Sequence, residues 1–126
     1  MITALHTLVY AEDPEAARAF FRDVLGMPSS DTGGGWLIFK TGPSELGVHP
    51  SSWEYGGRTG STDQRFDLSL MCDDLEATMA ELRGKGAEFE GEIEQQPWGI
   101  TTQLRIPGAG AMTLYQPTYD PPATSL

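Results

Sequence analysis

The stretch HTLVYAEDPEAARAFFRDVLGMP, His6 to Pro28, decides the fold because the chain writes its pattern twice. A shift of 61 positions lays it over DLSLMCDDLEATMAELRGKG, Asp67 to Gly86. Asp13 then falls on Asp74, Glu15 on Glu76, Ala16 on Ala77, Ala19 on Ala80 and Arg22 on Arg83. A unit repeated within 126 residues predicts two half-modules about a pseudo-two-fold axis, and it sets His6 opposite Asp67.

Each copy reads as a strand followed by a helix. Residues 5–10 alternate Leu5, Thr7 and Val9 against His6, Leu8 and Tyr10, the period of a strand. Asp13-Pro14 has the chemistry of an N-cap and first helical position. Ala17, Phe20, Phe21 and Val24 then form an apolar stripe at helical spacing,. Gly26 ends the helix. In the second copy residues 66–72 read as a strand, Asp73 with Glu76 has capping-box spacing, and Leu75, Met79 and Leu82 stripe the helix.

Working outward, the first module (about 2–50) is predicted to finish with a short strand near Pro28 to Asp31, a strand Trp36–Phe39 and a strand Glu45–His49,. Residues 51–65, rich in Gly, Ser and Thr, read as a linker. The second module (about 66–117) finishes with strands over Glu88–Gln95, Gly99–Ile106 and Ala111–Gln116. Residues 118–126 read as a tail with little to order it. The expectation is one domain over 1–126 of class α+β, built from two βαβββ modules.

Net charge is −10, and the eight Lys and Arg are scattered. This argues against nucleic acid and against anionic membrane surfaces, both of which demand clustered positive charge. No apolar run reaches the length of a spanning helix, and the start of the chain lacks the basic, then apolar, pattern of a signal peptide. Cys72 is the single cysteine, which fits a reducing, cytoplasmic setting.

The first helix, DPEAARAFFRDVLG, resembles the hallmark DPExAxxFYxxxLG of the vicinal oxygen chelate superfamily, the group of glyoxalase I, bleomycin and fosfomycin resistance proteins and extradiol dioxygenases. ELGVHP and TLYQP resemble the ends of its two half-modules. The resemblance covers about Ile2 to Pro117. It implies a glyoxalase-like curled mixed sheet around a cavity that takes a small organic molecule, usually in a homodimer.

In metal-using members of that family, ligands come from the first and last strands of each module. Carried over, this implies His6, Asp67 and either Glu45 or His49 as donors to a divalent metal such as nickel, zinc, manganese or iron. The metal would act as a Lewis acid on adjacent substrate oxygens, with a carboxylate, Glu45, as proton-transfer base. The fourth donor, usually Glu, is Thr113 here, a poor ligand. The other reading is metal-free sequestration by an aromatic-lined cavity, with Trp53, Tyr55, Trp98, Thr113 and Tyr115 as candidate lining. The bland alternative for each aromatic is core packing, and for Trp36 and Phe39 that is the better reading. Cys72 lies on the helix-facing parity of its strand, which points to packing rather than nucleophilic chemistry.

Overall fold

The computed structural model describes residues 6, 7, 9, 11–45 and 47–125, with the side chains of Tyr55 and Ser125 left aside. The second module has the predicted order. Strand β5 (Ser69–Met71) leads into helix α2 (Leu75–Gly84), then β6 (Phe89–Gln96), β7 (Gly99–Arg105) and β8 (Ala111–Pro117). The strands form one sheet in the order β5-β8-β7-β6. β5 runs parallel to β8, pairing Ser69 with Thr113 and Met71 with Tyr115, and the other pairs are antiparallel. A parallel pair needs a long crossover, and α2 with the β6-β7 hairpin supplies it.

The helix forms where its stripe and cap say it should. Leu75, Met79 and Leu82 are all buried. The cap is Asp74, whose carboxylate accepts from the Ala77 N–H at 3.0 Å, so the start lies one residue beyond the Asp73 expected from capping-box spacing. The internal repeat already pointed there, because Asp74 is the counterpart of Asp13. A second acceptor comes from across the sheet: the Gln116 Oε1 takes the Leu75 N–H at 2.9 Å, meeting another of the unpaired donors of a helix start.

One face of the sheet is apolar and covered. Leu114, Met112 and Leu104 lie with Leu75, Met79, Leu82 and Phe20 in a single buried cluster. Thr102 sits on this face too, 2% exposed, and its hydroxyl has no hydrogen-bond partner. Strand parity sends Ser69, Met71, Thr101, Gln103, Thr113 and Tyr115 to the opposite face, which is open at Ser69 and Gln103 and covered at Thr101 and Tyr115,.

The first helix has two parts. Helix α1 (Pro14–Ala19) is capped by the Asp13 carboxylate on the Ala16 N–H at 3.1 Å, and a π-helical turn continues it over Phe20–Val24. Ala17 and Phe20 are buried, with Phe21 and Val24 packed against the core. The stripe expected from sequence is therefore met, and Gly26, at φ +68°, ends the helix,. The Glu12 N–H donates to the Gly108 carbonyl at 2.7 Å, tying the entry of α1 to the Pro107-Gly108 turn.

The rest of the first module departs from expectation. β1 (Ser29–Asp31) and β2 (Leu37–Phe39) form where strands were predicted, and they pair antiparallel. Residues 45 and 47–49 are irregular rather than a strand, and Leu46 lies outside the described residues. The segment read as a linker instead holds a hairpin, β3 (Ser52–Tyr55) and β4 (Arg58–Ser61). Its turn is Gly56-Gly57, both at positive φ, the turn chemistry that closes two-residue hairpins. Trp53 lies flat over Gly60, where a Cβ would come within 2.5 Å of the indole. The aromatic ring and the bare glycine opposite explain why a polar, Gly-rich stretch forms strands. The expected opening strand falls partly outside the described residues (Leu5, Leu8 and Tyr10), and His6, Thr7 and Val9 have no strand assignment.

Candidate functional site

The open face of the four-stranded sheet carries neutral groups at its centre. The Gln103 amide donates to the Thr113 hydroxyl at 3.0 Å across the β7-β8 pair. Two residues on, Tyr115 is buried, and Trp98 packs edge-on against it with ring centroids 5.0 Å apart, a favoured aromatic geometry. Charge sits at the edge, where Arg105 pairs with Glu90 at 2.9 Å.

Beside Tyr115 lies a carboxylate. Glu45 accepts from the Tyr119 hydroxyl in a short contact, from the Tyr115 hydroxyl at 3.4 Å and from the Ala123 N–H at 3.3 Å. The two phenols also bond each other at 2.8 Å. The Tyr119 phenol is pushed well above the ordinary tyrosine range, first by loss of solvent and then by its bonds to Glu45 and Tyr115. It therefore stays protonated and serves as a donor to the carboxylate.

Within residues 118–125, read from sequence as part of a tail with little to order it, the chain makes specific contacts. The Thr118 N–H donates to the Trp98 carbonyl at 3.0 Å, its hydroxyl to the Pro97 carbonyl at 3.2 Å, and a short helix α3 (Pro122–Ser125) follows. Sequence reasoning missed Tyr119 and Ala123. The available signals were an aromatic residue inside an otherwise polar tail and Pro121-Pro122, which preset the first turn of a helix.

The predicted metal donors do not come together among the described residues. His6 and His49 are exposed. Asp67 is exposed and precedes β5, and its carboxylate accepts from the adjacent Leu68 N–H at 2.9 Å. Glu45 is occupied by Tyr119, Tyr115 and Ala123. Among the described residues no three His, Cys, Asp or Glu side chains come together as a metal would require. β5 begins at Ser69, beyond Asp67, and residues 45 and 47–49 are irregular. Of the predicted pocket residues, Trp98, Thr113 and Tyr115 share the region of the open face. Trp53 is committed to the β3-β4 hairpin, and Tyr55 is placed in β3 by its backbone.

Two hollows lie elsewhere. One of about 540 Å³ is lined by Glu12, Glu90, Arg105 and the 106–110 turn. Another of about 330 Å³ borders Asp73, Asp74 and Glu76 at the start of α2. Both are open and polar, and neither includes a predicted site residue, so the aromatic and carboxylate cluster is the stronger candidate on chemical grounds. Cys72, half-buried, donates weakly from its thiol to the Tyr115 carbonyl at 3.5 Å, and burial pushes its pKa up. It packs against the core, as its strand parity predicted.

With this geometry in place, comparison with known proteins defines the class. The chain belongs to the glyoxalase/bleomycin resistance protein/dioxygenase superfamily, whose family model matches residues 3–106. The uncharacterized protein YetH of Bacillus subtilis (strain 168) is 27% identical over 113 residues, covering 83% of this chain and 91% of YetH. Among solved structures, TnmS3, an antibiotic binding protein from Streptomyces sp. CB03234, superposes with a TM-score of 0.57 at 22% identity, covering 94% of this chain and 99% of TnmS3. A lactoylglutathione lyase from Agrobacterium tumefaciens superposes with a TM-score of 0.61 at 18% identity, covering 90% of this chain and 92% of the lyase. These likenesses establish the α+β, glyoxalase-like fold. Among the described residues no helix is long and apolar enough to cross a membrane.

Proposed function

We propose that this protein binds a small, neutral, aromatic organic molecule on the open face of the β5-β8-β7-β6 sheet, without a metal. The observation that carries the reading is the final strand. Where metal-using relatives are expected to place a carboxylate, this chain has Thr113, its hydroxyl already bonded to Gln103. Next to it stands the Trp98–Tyr115 pair, an apolar surface with polar tips suited to stacking and orienting a flat ligand. A net charge of −10 favours a neutral or cationic ligand over an anionic one,.

The fold serves both an antibiotic binding protein and a lyase among its solved neighbours, so fold alone does not choose between binding and catalysis. The metal-dependent alternative, a lyase, isomerase or dioxygenase, would draw on His6, Asp67 and Glu45 or His49. Among the described residues that donor set does not come together, which supports the metal-free reading.

A homodimer and a cytoplasmic setting belong to the same proposal. In support of the dimer, Trp36, Val48 and Phe66 are 67%, 89% and 93% exposed, and among the described residues the β1-β2 and β3-β4 hairpins join neither each other nor the four-stranded sheet. Apolar surface and open strand edges of this kind are covered by association. The test of the ligand reading is titration of chelator-treated protein with a flat neutral aromatic such as 2-naphthol. Saturable binding that Thr113→Trp abolishes supports it. Binding that appears only after a divalent metal is restored would move the assignment to the metal-dependent alternative.

A further inference from the structure

Glu45 receives a phenol from the far end of the chain. The Tyr119 hydroxyl, the Tyr115 hydroxyl and the Ala123 N–H all donate to its carboxylate, and among the described residues no cation pairs with it. All three partners are neutral donors. A carboxylate met only by neutral donors accepts further hydroxyl groups and disfavours anions. Tyr119, which brings the main donor, is 40% exposed, so it lies at the surface rather than in the core. Thr118 is held independently at Trp98 and Pro97, which gives the segment a fixed point about which Tyr119 can swing. Tyr115 is shared between the two neighbourhoods: its ring meets Trp98, and its hydroxyl meets Tyr119 and Glu45. The carboxylate therefore sits at the margin of the aromatic patch.

We propose that Glu45 is the receptor for a phenolic hydroxyl on the ligand, and that Tyr119 holds this place in the unliganded chain. The inference rests on the reading of the open face as a ligand site and adds the ligand's chemical class. Tyr119 acts as an internal competitor. A phenol that enters displaces it, and the 119–125 segment loses its bonds to Glu45.

The probe is p-cresol, the tyrosine side chain without its backbone, with toluene as the control that lacks the hydroxyl. In full-length Tyr119→Ala, p-cresol binds roughly tenfold or more tightly than in wild type, the scale of a hydrogen bond to a charged acceptor. Toluene gains nothing, and Tyr119→Ala combined with Glu45→Ala loses the gain. No gain in Tyr119→Ala, an equal gain for toluene, or a gain that survives Glu45→Ala overturns the proposal. Equal binding of both probes that Thr113→Trp abolishes would leave the aromatic face standing while removing Glu45 as its selector. Should Tyr119→Ala fail to fold by circular dichroism, wild type decides. There p-cresol, and not toluene, accelerates hydrogen exchange at the Ala123 N–H, and an unchanged exchange rate contradicts the proposal.

Discussion

Tyr119 donates its phenolic proton to the Glu45 carboxylate across 74 residues of chain, joining the first module to the segment after Pro117. Two further donors, the Tyr115 hydroxyl and the Ala123 N–H, converge on the same carboxylate, so that segment is held against Glu45 at Tyr119 and Ala123.

Removing that donor alone has a modest energetic effect. Tyr119→Phe keeps the ring and is expected to lower stability by about 1 kcal/mol, the lower part of the range for a bond to a charged group because the site is partly exposed. Urea denaturation of the two proteins measures it. A loss confined to the C-terminal segment, seen as faster hydrogen exchange at Ala123 with an unchanged midpoint, would mean that the segment opens independently of the core.

The same contact depends on pH in a stated direction. The folded-state pKa of Tyr119 is raised above the ordinary value of 10.0. Its contribution is thus fully present below pH 10 and is lost as pH rises through the raised value. Ultraviolet titration should reveal a phenolate transition above the ordinary tyrosine range in wild type that is missing from Tyr119→Phe. Identical titration curves for the two proteins would contradict the contact.

Thr102 offers the opposite kind of test. Its hydroxyl is buried against the α2 side of the sheet without a partner, and such a group costs about 1–3 kcal/mol. Thr102→Val, nearly the same shape, is expected to raise stability by about 1 kcal/mol in denaturant titration. A destabilised variant would indicate that the hydroxyl is satisfied in solution.

Gly99 is required for space. A Cβ there would lie 2.6 Å from the Gln116 carbonyl oxygen and 3.2 Å from the Tyr115 ring. The nearest atom is backbone in a paired strand and cannot step aside. Gly99→Ala should cost about 1–3 kcal/mol and disturb the Trp98–Tyr115 contact, visible as a shift in tryptophan emission.

Cys72 should be slow to react. Burial raises its pKa, so little thiolate forms at neutral pH. A disulfide reagent is expected to label it slowly in the folded protein and rapidly in urea. Fast labelling of native protein would mean that β5 opens at its end.

The second module was legible in the sequence because its signals agree. A cap, a helical stripe and alternating strands all point one way, and Leu75, Met79 and Leu82 are buried as their spacing requires. The first helix was legible for the same reason. The strand over residues 45–49 has no counterpart among the described residues, where 45 and 47–49 are irregular and Leu46 is not described; alternation alone predicts a strand without naming the strand that pairs with it. The β3-β4 hairpin hid behind composition: Gly and Ser suggest a linker until Trp53 is seen to need the bare surface of Gly60. In the candidate site, Thr113 and Tyr115 follow from parity on an identified strand, and Trp98 lies in the turn before β7. Tyr119 could not, since its role comes from a contact between positions 74 apart that no local pattern encodes.

The most direct measurement is a fluorescence titration of chelator-treated protein with 2-naphthol. Wild type should bind saturably with tryptophan quenching, Trp98→Phe should lose the quenching, and Thr113→Trp should lose the binding. Strict dependence on an added divalent metal, or binding indifferent to Thr113→Trp, would contradict a metal-free aromatic site on the open face of the sheet.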